Sequence, residues 1–197
     1  MISTVLFDLD GVIRHFDPAV TIDIERRHGI APGRMMKVAF AGAAAEQLTV
    51  GRLRRADWIT GIGASLGAPD AAEEWGAQRA RLDDDVLALA AGLTRSGIRT
   101  AILTNGTDGI PAEVEALGLP ALFDPIFNSA EIGVAKPDPE VYARVVDVLG
   151  CDPEEIFFTD DSSRNVAAAI EAGMRGHCFE DAAGLRDALR ENGVTVV

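Results

Sequence analysis

The sequence predicts an α/β protein: a parallel sheet with helices on both faces, interrupted after its first strand by an all-helical insertion. Three observations predict this. Short β-branched or apolar runs recur at 3–7, 99–104, 125–128, 156–159 and 175–179. Helical patterns at 86–96, 139–149, 162–172 and 182–192 fall between or after most of them, and strands alternating with amphipathic helices build a parallel sheet covered on both sides. From 17 to 84 no strand pattern stands out.

Taken in order, the first run (Ser3-Thr4-Val5-Leu6-Phe7) leads straight into Asp8. It lacks a basic leader and is too short for a signal or a membrane span. The stretch that follows reads as helices at 18–28, 33–43, 53–66 and 70–82, punctuated by Gly29, Pro32, Gly51, Gly67 and Pro69. An insertion there lies above the carboxyl ends of the strands, the edge where open α/β sheets bind ligands. The expected division is therefore a core formed by 1–16 and 85–197, with a helical cap at 17–84. Asp83-Asp84-Asp85 marks a helix start, where acidic side chains are favoured. Gly97, Gly150, Gly173 and Gly193 each follow a predicted helix, as C-terminal glycines do.

At 197 residues the chain has room for one sizeable core with a modest insertion. A hydrophobic fraction of 48% against 25% charged residues is that of a globular protein. The net charge of −13 and a pI near 4.6 oppose nucleic acid and anionic membrane surfaces. Two cysteines, Cys151 and Cys178, are too few for a disulfide scaffold, and the expected compartment is the cytoplasm.

Chemistry concentrates at the strand ends. Asp8-Leu9-Asp10-Gly11-Val12 follows the first strand, and residues two apart point the same way, so Asp8 and Asp10 can flank one substrate atom. Two carboxylates so close require a cation or a shared proton. Leu103-Thr104-Asn105-Gly106 ends the second core strand with groups suited to phosphate oxygens. Lys136-Pro137-Asp138-Pro139 sets a lysine ahead of a proline-initiated helix, and Phe158-Thr159-Asp160-Asp161-Ser162 ends another strand with two more acids. Singly, each has a plainer reading: a solvated turn, a surface lysine, a helix cap. Together and in this order they point to one site.

These four segments resemble the motifs of the haloacid dehalogenase-like hydrolase superfamily, over nearly the whole chain. The stretches Glu131–Asp138 and Glu171–Met174 resemble its branch with a small helical cap. The resemblance implies a Rossmann-like core and a magnesium-dependent phosphatase. Asp8 would be the nucleophile that forms an aspartyl-phosphate, and Asp10 the acid and base, a role worth about 10²–10⁴-fold. Thr104 and Asn105 would bind phosphate oxygens, and Lys136 would pair with the phosphoryl group and Asp8. Mg²⁺ would be held by Asp8, the Asp10 main-chain carbonyl and Asp161, with Asp160 in support, and Asn165 would position the acidic loop. From the cap, Arg52 and Arg55 are substrate candidates, with His15 at the pocket mouth.

The expected substrate is a small phosphorylated metabolite, such as a sugar phosphate, and the expected assembly a monomer or homodimer, with no nucleic acid and no membrane as partner. A phosphosugar mutase is the main alternative, since arginines at 52–55 could hold a second phosphate. A 2-haloacid dehalogenase fits less well because halide departure needs no proton from Asp10. A non-catalytic binding module fits worst, as all four motifs are intact.

Overall fold

The structure is a computed structural model, and it describes residues 1–195; the last two positions of the expected core range lie outside the described residues. Along the chain β1 (Thr4–Phe7) and β2 (Arg14–His15) precede helices α1 (Pro18–Arg27), α2 (Arg34–Ala39), α3 (Ala43–Thr49), α4 (Arg55–Leu66) and α5 (Pro69–Gly76). Then come β3 (Arg81–Leu82), α6 (Asp84–Arg95), β4 (Arg99–Thr104), α7 (Ile110–Ala116), β5 (Ile126–Asn128) and α8 (Ser129–Ile132). The chain closes with α9 (Pro139–Leu149), β6 (Ile156–Asp160), α10 (Ser163–Glu171), β7 (Arg175–Cys178) and α11 (Ala182–Glu191).

Five strands form a parallel sheet in the order β5-β4-β1-β6-β7. Alternation along each strand sends its apolar residues to opposite faces. Val5, Phe7, Ile102 and Phe157 pack with Val86, Leu89 and Leu93 of α6, Val114 of α7, and Leu185 and Leu189 of α11. Leu6, Leu103 and Phe158 pack on the other face with Val141, Tyr142 and Val145 of α9 and Ala169 of α10. Each fully buried aliphatic or aromatic side chain contributes about 1.5–3 kcal/mol, so the central strands β1, β4 and β6, each with at least two such residues, are well anchored.

Helices α1 to α5 enclose an apolar cluster of their own, including Ile24, Met35, Leu48, Trp58, Ile59 and Ile62. Trp58 donates through its indole N–H to the Ala39 carbonyl and meets Trp75 edge-on at 5.5 Å between ring centres. Contacts join the helical segment to the sheet-bearing part. Ser129 Oγ donates to the Thr49 carbonyl, the Arg55 backbone N–H donates to Asp108, and Gly51 lies against the Ala130 carbonyl.

Three expectations needed correction. The helix expected at 33–43 is two helices, α2 and α3, separated at Gly42, whose φ of 72° and ψ of −164° no helix accommodates. The helix expected at 70–82 stops at Gly76, and the stretch read as strand-free holds β3, which pairs antiparallel with β2 through Arg14↔Leu82 and His15↔Arg81. A two-residue ladder is too short to leave a period in sequence. Helix α7 was not anticipated: it is only seven residues long, with Pro111 in its first turn.

Candidate active site

Asp8 directly follows the central strand, and its backbone N–H donates to the Thr159 carbonyl of β6. Leu9, Val12 and Ile13 are all buried, anchoring the next turn in the core. The loop closes on itself: Gly11 N–H donates to the Arg14 carbonyl, and Ile13 and Arg14 N–H both donate to the Leu9 carbonyl. Gly11 has φ +94°, and a Cβ there would lie 2.3 Å from Asp161 Oδ2. Glycine thus serves twice, taking a backbone conformation closed to other residues and leaving space for an acid. Gly11→Ala is expected to displace Asp161 and lower the affinity for a divalent cation by at least about tenfold, on the scale of backbone strain plus a steric shift. Calorimetric titration with Mg²⁺ reads this directly.

Lys136 is buried, and its ammonium donates to Asp8 Oδ1 at 2.7 Å, Asp160 Oδ2 at 2.6 Å and the Leu103 carbonyl at 2.8 Å. All three of its N–H groups therefore have protein partners. Its backbone is held too: Asn105 Nδ2 donates to the Lys136 carbonyl and the Lys136 N–H donates to Asn105 Oδ1, both at 2.8 Å. Asp160 is fully buried and also accepts from the Ser162 N–H and from Asn165 Nδ2. Asp161, beside it, is exposed.

Carboxylate oxygens of Asp8, Asp160 and Asp161 lie within 4.8 Å of one another. Three carboxylates against one ammonium leave two negative charges, which a single divalent cation cancels. Without one, burial pushes the Asp8 carboxyl up to about 7, with Asp160 adding repulsion against the favourable Lys136 charge. Burial works against the Lys136 ammonium, yet Asp8 and Asp160 outweigh it and raise its pKa above the usual range. Asp161 is likewise raised, by burial and then by Asp160. The donor set fits a hard cation with oxygen ligands.

The structure brings Asp8, Asp160, Asp161, Lys136 and Asn165 together. Thr104, buried at the end of β4, is next to Asn105, whose side-chain oxygen and one of whose two amide N–H groups bond to the Lys136 backbone. The Asp10 side chain is held by Arg14, which donates to both of its oxygens. The expected specificity residues are differently placed. His15 contacts Asp83 at 3.2 Å. The Arg55 guanidinium donates to the Gly76 carbonyl and approaches Glu113 at 3.7 Å, so protein groups claim its charge. Arg52 is exposed. Two residues whose structural role the sequence did not reveal are Arg14 and Glu113: Glu113 lies 99 positions from its partner, a separation that leaves no local pattern.

A family model for haloacid dehalogenase-like hydrolases matches residues 2–173. The chain belongs to this family. As a member it is a hydrolase, and several relatives sharpen the comparison. It is 44% identical over 82 residues to flavin mononucleotide hydrolase 1 of Arabidopsis thaliana, covering 42% of this chain and 34% of that one. It thus spans about a third of the plant protein's length. A phosphatase of Mycobacterium tuberculosis is 28% identical, covering 95% of this chain and 92% of its own. A HAD family enzyme from Bacteroides thetaiotaomicron, solved in complex with magnesium and inorganic phosphate, superposes with a TM-score of 0.75 at 25% identity, over 94% of this chain and 99% of that one. Among the described residues no helix of this hydrolase is long and apolar enough to cross a membrane.

Proposed function

We propose that the protein is a Mg²⁺-dependent phosphatase of a small phosphorylated metabolite, working through an aspartyl-phosphate on Asp8. The observation that carries this reading is the buried Lys136 ammonium bridging Asp8 and Asp160, with Asp161 completing a carboxylate cluster at the carboxyl edge of a parallel sheet. Relatives named as a flavin mononucleotide hydrolase and a phosphatase, and a fold neighbour holding magnesium and phosphate, support it. Asp8, Asp160 and Asp161 would hold the cation with the Asp10 carbonyl; when bound, it supplies charge neutralisation at the phosphoryl group.

In the first half-reaction an Asp8 oxygen bonds to phosphorus, the ester P–O bond breaks, and Asp10 gives its proton to the departing alkoxide. In the second, Asp10 takes a proton from water, whose oxygen attacks phosphorus and releases inorganic phosphate and the Asp8 carboxylate. Lys136 holds one Asp8 oxygen so that the carboxylate cannot rotate. We assign the segment 17–84 as a cap, since the end of α3 and the start of α4 bond to Ser129, which opens α8 after β5, and to Asp108, in the loop after β4. The mutase alternative rested on arginines free for a second phosphate; with Arg55 already engaged, hydrolysis is the better fit. Two free cysteines accord with the cytoplasm.

A panel of phosphate monoesters tests this, run with Mg²⁺, with Ca²⁺ and with chelator. Turnover is expected with Mg²⁺ alone, because the larger and more variable calcium shell ties up both Asp8 oxygens. Full activity in excess chelator sinks the reading, as does failure on every ester.

A further inference from the structure

The Asp10 carboxylate is not loose. Arg14 Nε donates to one of its oxygens and Arg14 Nη2 to the other at 3.2 Å, a forked contact. Arg14 is buried, whereas Asp10 is 43% exposed. Such a guanidinium needs a further partner, and it has one: Nη1 donates to Glu113 Oε2 of α7 at 2.8 Å. The arginine also stacks over Phe16 at 5.5 Å from the ring centre. Its backbone is fixed by the Leu9 carbonyl and the Gly11 N–H, within the same turn that carries Asp10. Glu113 is itself held between two cations, since Arg55 approaches its other oxygen.

We propose that Arg14, braced by Glu113, is a positioning residue that sets the rotamer of Asp10 for proton transfer to the leaving oxygen. The inference rests on the phosphatase reading given above. A carboxylate that must donate a proton in one half-reaction and accept one in the next works only within hydrogen-bond reach of both oxygens. Left alone, a side chain this exposed samples several rotamers. The fork from Arg14 selects one, and Glu113 stops Arg14 from swinging with it. Lysine cannot replace this arrangement fully, because an ammonium offers no planar fork.

The consequence is specific to the leaving group. 4-Nitrophenyl phosphate releases a weakly basic phenolate and needs little protonation, whereas phenyl phosphate has nearly the same shape and releases a more basic one. Glu113→Gln and Arg14→Met are expected to lower kcat/KM, which reads the steps up to release of the alcohol, for phenyl phosphate by about tenfold to a hundredfold, the scale of a misplaced catalytic group. For 4-nitrophenyl phosphate kcat/KM should fall less than about threefold, while hydrolysis of the phospho-enzyme, common to both esters, slows equally for the two. Arg14→Lys should recover part of the loss on phenyl phosphate. In an Asp10→Asn background Glu113→Gln should cost nothing further, because residues acting through one group are not additive.

Equal losses of kcat/KM on both esters, no loss on either, or full additivity with Asp10→Asn would each overturn the proposal. Arg14→Met removes a buried charge and can fail to fold; Glu113→Gln, at a partly exposed site, then carries the test alone. A wild-type enzyme that hydrolyses neither ester refutes the phosphatase reading instead, which keeps the two failures distinct.

Discussion

Asp8→Asn is expected to fold, to keep most of its secondary structure, and to lose turnover by about 10⁴-fold or more, the range seen when a covalent nucleophile is removed. An amide cannot attack phosphorus, and it is a poor ligand for a hard cation. No phospho-enzyme should accumulate in rapid quench with any ester. Retention of a tenth of wild-type turnover would end the covalent mechanism. The substitution also carries a thermodynamic signature. Burial raises the Asp8 carboxyl from 3.8 to about 7, so the fold binds that proton more tightly than the unfolded chain does. This contribution to stability is complete below 3.8 and is lost as the pH rises through about 7. The metal-free stability of the wild type, measured relative to Asp8→Asn, should therefore decline across that window. A difference that stays flat from pH 4 to 8 would show that Asp8 titrates normally.

Lys136→Met removes the one buried cation among the carboxylates it bridges. Breaking a buried pair and leaving its anions behind costs about 3–5 kcal/mol, which is about a fifth or more of the stability of a typical domain. The loss should be larger at pH 8 than at pH 5, because Asp8 can take up a proton and relieve it. Added Mg²⁺ should restore part of the stability by supplying positive charge. Urea unfolding at the two pH values, with and without the cation, reads all three effects. A metal-free variant as stable as wild type at pH 8 would mean that Lys136 is not electrostatically engaged. Turnover should be abolished in parallel, since nothing then holds the Asp8 oxygen.

Much of the fold was legible because its strongest patterns are local. The run Thr4–Phe7 and the stretch Pro139–Leu149 carry their period and their boundary residues in the chain itself. The cluster at the strand ends was legible for a related reason: in a parallel sheet the carboxyl ends of neighbouring strands meet, so motifs after each strand converge without any knowledge of packing. What stayed hidden depends on side-chain direction. Nothing in the sequence says that Asn105 spends its amide on the Lys136 backbone, or that Arg55 turns to Gly76 and Glu113. The second strand of the short ladder was hidden because Arg81 and Leu82 pair only as the chain leaves the helical segment.

Gly51 has φ +72°, and a Cβ placed there would stand 2.2 Å from the Ala130 carbonyl oxygen. Backbone meets backbone at that seam, with no side chain between them to give way. Position 51 therefore works as a shim of fixed thickness. Any other residue would wedge the helical segment away from helix α8, on which it rests, and so change the spacing between the two parts of the chain.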